Sequence, residues 1–133
     1  MLGFGLPPRV SFAMRGDLGN GFARLFLDGE LDLSAIPTFE VNLQSVEDDA
    51  RGLILDLAGV TFTDSSGIHA LSRAAARADE KGWQLEIVNC PPSIERIVGL
   101  TGNDHLLRNA TISELIGSSV DEWTPIALPV EGS

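Results

Sequence analysis

The sequence predicts a mixed α/β fold: a sheet of four to five strands, opened by an N-terminal hairpin, then alternating strand and helix, packed with about four helices. Three observations predict it. Val10, Phe12 and Met14 alternate with Ser11, Ala13 and Arg15, as in a strand with one buried face. Leu53-Ile-Leu-Asp-Leu57 is almost continuously apolar, as in an interior strand. Between and after these lie segments whose apolar residues recur every three or four positions, the period of a helix lying on a sheet.

In chain order, the first strand is followed by the turn-rich Gly16-Asp-Leu-Gly-Asn-Gly21, and a second strand runs from Phe22 to Asp28. Ser34 is then the expected N-cap of a helix with Pro37 in its first turn and Ile36, Phe39, Leu43 and Val46 on one face. Leu53–Leu57 is the candidate central strand, expected to be covered by helices on both faces. A helix from Ser66 to Lys81 turns Ile68, Leu71, Ala75 and Ala78 to the sheet and leaves Arg73, Arg77 and Glu80 in solvent. Trp83 to Val88 is the next strand, and Pro91 to Val98 a short helix with its prolines at the start. Leu106-Leu107 is assigned to a brief edge strand, and Thr111-Ile-Ser-Glu114 has the capping-box spacing that opens a last helix through Leu115 and Ile116. The expected organisation is a flexible arm over residues 1–8, one domain over 9–117, and a flexible tail over 118–133, where Pro125, Pro129 and Gly132 disfavour regular structure.

With 133 residues and 44% hydrophobic content, the chain suffices for one domain with a sizeable core. Nine Lys and Arg against nineteen Asp and Glu give a net charge of −10, which disfavours nucleic acid and anionic membranes; it is compatible with a basic protein partner, and its plainer role is to keep the protein soluble. Cys90 is the only cysteine, so neither an intramolecular disulfide nor a cysteine metal site can form. No positive stretch precedes an apolar run at the N-terminus, and no apolar run is long enough to span a bilayer. The protein is expected to be cytoplasmic.

Two short pieces carry the functional reading. Gly29-Glu30-Leu31-Asp32 closes the second strand, and Asp64-Ser65-Ser66-Gly67 follows the third and opens a helix. Both fall at the C-terminal edge of the sheet, where open α/β folds place functional loops. A helix N-terminus has unpaired N–H groups and a partial positive charge, so a phosphoryl group on a serine there costs the fold little. The plainer reading is that Asp64 or Ser65 is an ordinary N-cap and Gly67 eases the turn.

These pieces, in this order and on these strand ends, resemble the STAS domain family, whose best-known members are bacterial anti-sigma factor antagonists; the resemblance spans about residues 10–116. It implies that Ser66 is the phosphoacceptor, with Ser65 as the fallback, and that Asp32 and Asp64 are partner contacts. The expected partner surface is Asp32, Asp64, Ser65, Ser66, Gly67, Ile68 and His69, with Gly67 keeping a partner's approach open. The implied function is non-enzymatic. The unphosphorylated form binds an anti-sigma factor that is also a serine kinase, phosphorylation releases it, and a serine phosphatase restores it. The alternative is a STAS scaffold or docking subunit of a stress-signalling or lipid-transport complex, with no phosphoryl cycle.

Other chemistries find less support. His69 lies three residues after Ser66, but no Gly-x-Ser-x-Gly elbow is present to build a hydrolytic triad with Asp64. His69 and His105 lack metal-ligand spacing, and no phosphate-binding glycine motif occurs, so no metal or cofactor is expected. Thr61 and Thr63 are read as turn hydroxyls bonding the backbone, and Asp56 as a structural carboxylate at a sheet end.

Overall fold

The computed structural model describes residues 11–48, 50–107, 122–130 and 132. The expected arm over 1–8 and the expected helix from Thr111 to Ile116 lie outside the described residues.

The strands are β1 (Phe12–Gly19), β2 (Phe22–Leu31), β3 (Gly52–Thr63), β4 (Gln84–Val88) and β5 (Thr124–Ile126); the helices are α1 (Ile36–Glu47), α2 (Ser65–Lys81) and α3 (Pro92–Leu100). They form one five-stranded sheet in the order β4-β3-β2-β1-β5. The hairpin β1–β2 and the pair β1–β5 are antiparallel, whereas β2, β3 and β4 run parallel. The three parallel strands therefore end at one edge.

The turn-rich stretch after β1 is shorter than expected. β1 continues to Gly19, and the chain reverses through Asn20 and Gly21 alone, at φ 52° and 85°. Two successive positive φ values make the tight hairpin turn whose twist matches the strands it joins. β2 and β3 also outlast their sequence limits, because irregular pairing between Phe26 and Glu30 carries both to the register pair Leu31–Thr63. Gly29 is what permits this: at φ 97° its backbone passes so close to the Ser11 carbonyl that a Cβ would collide with it.

Leu25, Leu27, Leu53, Leu55, Leu57 and Ile87 share a face with Phe12 and Met14, on which pack Phe39, Leu43 and Val46 of α1, Ile68, Leu71 and Ala74 of α2, and Ile94 and Val98 of α3. Burying each such side chain contributes about 1.5–3 kcal/mol. The expected helix cover on both faces of β3 is corrected: among the described residues, Ile54 on the opposite face packs with Phe22, Val88 and Trp123, not with a helix. β3 is interior, but β2 holds the centre of the sheet.

Three further expectations change. Leu106-Leu107 is not a strand; it closes a 3-10 turn (Asp104–Leu107) that buries Leu106. Arg77 is not left to solvent: its Nε donates to Glu47 at 2.9 Å and its Nη1 to Glu40 at 3.3 Å, while Lys81 reaches Glu47 at 3.2 Å. Burial alone would lower the Arg77 pKa, but the two carboxylates outweigh it and raise it. This cluster pins α2 to α1. The tail expected to be flexible instead supplies β5 and buries Leu128, because an edge strand needs only one line of pairing and so tolerates Pro125.

Candidate functional site at the C-terminal edge of the parallel strands

Leu31 and Thr63 are register partners, so the next residues, Asp32 and Asp64, leave the sheet side by side. Both adopt nearly the same extended backbone, φ −116° and ψ −172° at Asp32, φ −123° and ψ −171° at Asp64. Each carboxylate caps the helical turn behind it. Asp32 accepts from the Ser34 N–H at 3.0 Å and the Ser34 hydroxyl at 2.7 Å, opening a 3-10 turn (Leu33–Ala35) that leads into α1. Asp64 accepts from the Gly67 N–H at 3.2 Å and opens α2.

Helical bonding in α2 starts with the Ile68 N–H on the Asp64 carbonyl, at 3.1 Å. The N–H groups of Ser65 and Ser66 stand ahead of it, at the positive end of a 17-residue helix. Ser65 is exposed and Ser66 half-buried. Among the described residues no hydrogen bond engages either hydroxyl. Both hydroxyls are thus unspent on the fold.

Other members of the expected surface divide sharply. His69 is exposed on α2, and Asp32 and Asp64 are half-buried with their carboxylates committed to caps. Ile68 is 0% exposed and belongs to the core, so its expected role as a partner contact is corrected: the apolar face of α2 begins there. Gly67 is also buried, and the reason for its glycine is internal. A Cβ there would overlap the Thr63 hydroxyl and the Leu31 carbonyl and stand 3.1 Å from Leu31 Cγ. Glycine lets the helix start seat directly on the two strand ends. Thr63 donates its hydroxyl to the Leu31 carbonyl at 2.8 Å, tying those ends together in the backbone-bonding role its sequence context suggested. Asp56 likewise serves structure, accepting from the Ala58 N–H and from Asn89, each at 2.9 Å.

Two residues not singled out in the sequence join the edge. Leu33, immediately after Asp32, is 71% exposed, and Phe62, two residues before Asp64, is 47% exposed. Both are large apolar side chains left in water at the sheet edge that carries Asp32 and Asp64. The available signal is placement: Leu33 directly follows the first motif, and Phe62 stands two residues before the second.

Among the described residues no group of three or more His, Cys, Asp or Glu side chains is placed to hold a metal ion. No described helix is long and apolar enough to cross a membrane.

Known proteins share this architecture. The sequence model of one family, the STAS domain, matches residues 19–122. An anti-sigma factor antagonist from Mycobacterium paratuberculosis superposes with a TM-score of 0.69 at 23% identity, over 88% of this chain and 100% of that one. The anti-sigma factor antagonist SpoIIAA in its unphosphorylated form superposes with a TM-score of 0.66 at 18% identity, over 80% of this chain and 96% of that one. Part of a murine anion transporter, Solute Carrier 26 family member A9, superposes at 0.57 and 17% identity, over 69% of this chain but 18% of the transporter. At these identities the likeness is one of fold.

Proposed function

The chain belongs to the STAS domain family, and we propose that it is a non-catalytic, cytoplasmic anti-sigma factor antagonist whose partner surface is the sheet edge around Asp32 and Asp64. The partner is an anti-sigma factor that is also a serine kinase, and phosphorylation of Ser66 ends the complex until a serine phosphatase reverses it. One observation carries the reading: two unbonded serine hydroxyls on the first turn of α2, on an edge that also exposes Leu33 and Phe62.

The chemistry is differential binding. A phosphoryl group brings roughly −1.5 to −2 charge to a surface that already holds Asp32 and Asp64. The helix N-terminus accommodates that charge within the free protein. Inside a docked contact beside Leu33 and Phe62, the same group must be desolvated and its bulk accommodated. A penalty of about 3 kcal/mol lowers affinity more than a hundredfold. The structural neighbours that are themselves anti-sigma factor antagonists, one described in an unphosphorylated form, support this assignment.

The test is to incubate the protein with ATP and each serine-kinase anti-sigma factor encoded in the same genome, then fragment the tryptic peptide from Gly52 to Arg73. That peptide contains Thr61, Thr63, Ser65, Ser66 and Ser72, so fragment ions are needed to locate a phosphate. Modification of Ser66, and a Ser66→Ala chain that binds the same kinase regardless of ATP, is the expected result. A stable assembly that ignores ATP, with no modification by any candidate, overturns the switch in favour of the scaffold role.

A further inference from the structure

A second feature lies at the other side of the sheet. β5 pairs with β1 through Gly16–Ile126, Asp17–Pro125 and Leu18–Thr124, and a bridge between Ala13 and Gly132 continues the same antiparallel path. The segment thus runs along the outer edge of β1. Between those two pairings it crosses to α1, where Asn42 is 0% exposed. Asn42 accepts the Val130 N–H at 3.0 Å on Oδ1, and its Nδ2 donates to the Val130 carbonyl and to Met14 Sδ. A fully buried side-chain amide is therefore committed to both main-chain groups of one residue. Left unpaired in place it would cost about 1–3 kcal/mol, so this position selects for a segment that offers both an N–H and a carbonyl here.

The groove is shaped for this segment and yet holds it lightly. Gly16 leaves the space that Ile126 fills: a Cβ there would meet Ile126 Cγ1 at 3.3 Å and Leu25 Cδ2 at 2.8 Å. Leu128 enters the core. Against that, the paired stretch is three residues long, Thr124 and Pro125 are exposed, and Pro125 and Pro129 have no N–H to donate. An open cleft lined by Leu18, Ser45, Val46 and the segment's own Ile126–Pro129 runs beneath it. Elements with so few buried contacts open at a lower free energy than the core they cover.

We infer that residues 124–130 form a releasable strap, and that the groove between β1 and α1 is a strand-docking site whose occupant is this segment of its own chain. Strap release exposes the β1 edge and the Asn42 amide without unfolding β2 or β3.

Native-state hydrogen exchange on the full chain tests the first half. The Val130 N–H and the Asn42 side-chain amide are expected to exchange together, about a hundredfold or more faster than the backbone amides of Leu25 and Leu55 after correction for intrinsic rates. Equal opening free energies for all four overturn it. For the second half, Val130→Pro removes the N–H that Asn42 accepts, and a synthetic peptide of residues 122–133 is titrated into the labelled variant. The Asn42 side-chain resonances are expected to return saturably to their wild-type positions, and a peptide carrying the same Val130→Pro change is expected to leave them unmoved. A folded variant that ignores the wild-type peptide overturns the docking site, and a Val130→Pro chain that cannot fold overturns release itself.

Discussion

The Asp32 and Asp64 junctions solve one problem twice. In each, a parallel strand ends, an aspartate in extended backbone turns the chain off the sheet, and its carboxylate caps the next helical turn. They differ at the positions just beyond. Asp32 takes the N–H two residues on, Asp64 the one three residues on. The third residue after Asp32 is Ala35, wholly buried; the third after Asp64 is Gly67, where no Cβ fits. The first junction tightens into a 3-10 turn and puts Leu33 outward, whereas the second seats a 17-residue helix on the strand ends and leaves Ser65 and Ser66 with free hydroxyls. The same device thus yields an exposed apolar side chain at one junction and two unbonded hydroxyls at the other, and the difference rests on one methyl group's worth of space.

The largest expected effect comes from exchanging those methyl groups. Gly67→Ala drives a Cβ into Thr63 and the Leu31 carbonyl, which are main-chain or tied to it and cannot move aside cheaply. Urea unfolding is expected to show a loss of about 3 kcal/mol, at the upper end of overpacking costs. Ala35→Gly removes a buried methyl and frees the backbone, with an expected loss of about 1 kcal/mol. Comparable losses would mean that the two junctions are not as differently packed as their geometry indicates.

Next come the caps. Asp64→Ala is expected to cost about 1–2 kcal/mol, with Asp64→Asn recovering most of it, because a long helix loses its N–H acceptor. Asp32→Ala is expected to cost less, about 0.5–1 kcal/mol, since it caps a three-residue turn whose Ser34 is exposed to water. Thermal denaturation of the two variants side by side checks the ordering. A reversed order would place the greater structural burden on the Asp32 junction and weaken the reading of Ser65 and Ser66 as residues spared from structural duty.

Much of this arrangement is legible in the residues themselves. Period-two and helical spacings locate β1, β2, α1, α2 and α3 to within a few positions, and Asp-Ser-Ser-Gly after an apolar strand announces a capped helix start. What escapes is set by contacts between distant segments. Nothing local distinguishes Gly67 as a close-approach residue from Gly67 as a turn residue, because the obstructing atoms belong to Leu31 and Thr63. Pro125 and Pro129 signal a loose tail until β1 supplies an edge that asks for few donors. Ile68 carries two conflicting local signals, a helical phase that turns it to the sheet and a place next to the surface motif, and its burial settles the conflict for the core. The exposure of Leu33 and Phe62 depends on where the sheet stops, which is set by the register of β2 on β3.

A third junction at the same edge lacks the aspartate altogether. β4 ends at Val88, Asn89 turns the chain at φ 54°, and α3 starts behind Pro91 with no side-chain cap. Cys90 sits where a helix N-terminus would ordinarily favour a thiolate. Burial prevails instead and, with Glu95 adding repulsion, pushes its thiol up to about 11 from an ordinary 9.0. The fold therefore favours the protonated thiol, so the stability it contributes is complete below about pH 9 and is lost as the pH rises through about 11. At pH 8, alkylation of Cys90 by iodoacetamide is expected to be at least about tenfold slower in the native protein than in urea. Equal rates would mean that this uncapped junction, like the Asp64 junction, leaves its nucleophile open to the solvent, and the contrast between capped and uncapped strand ends would lose its chemical consequence.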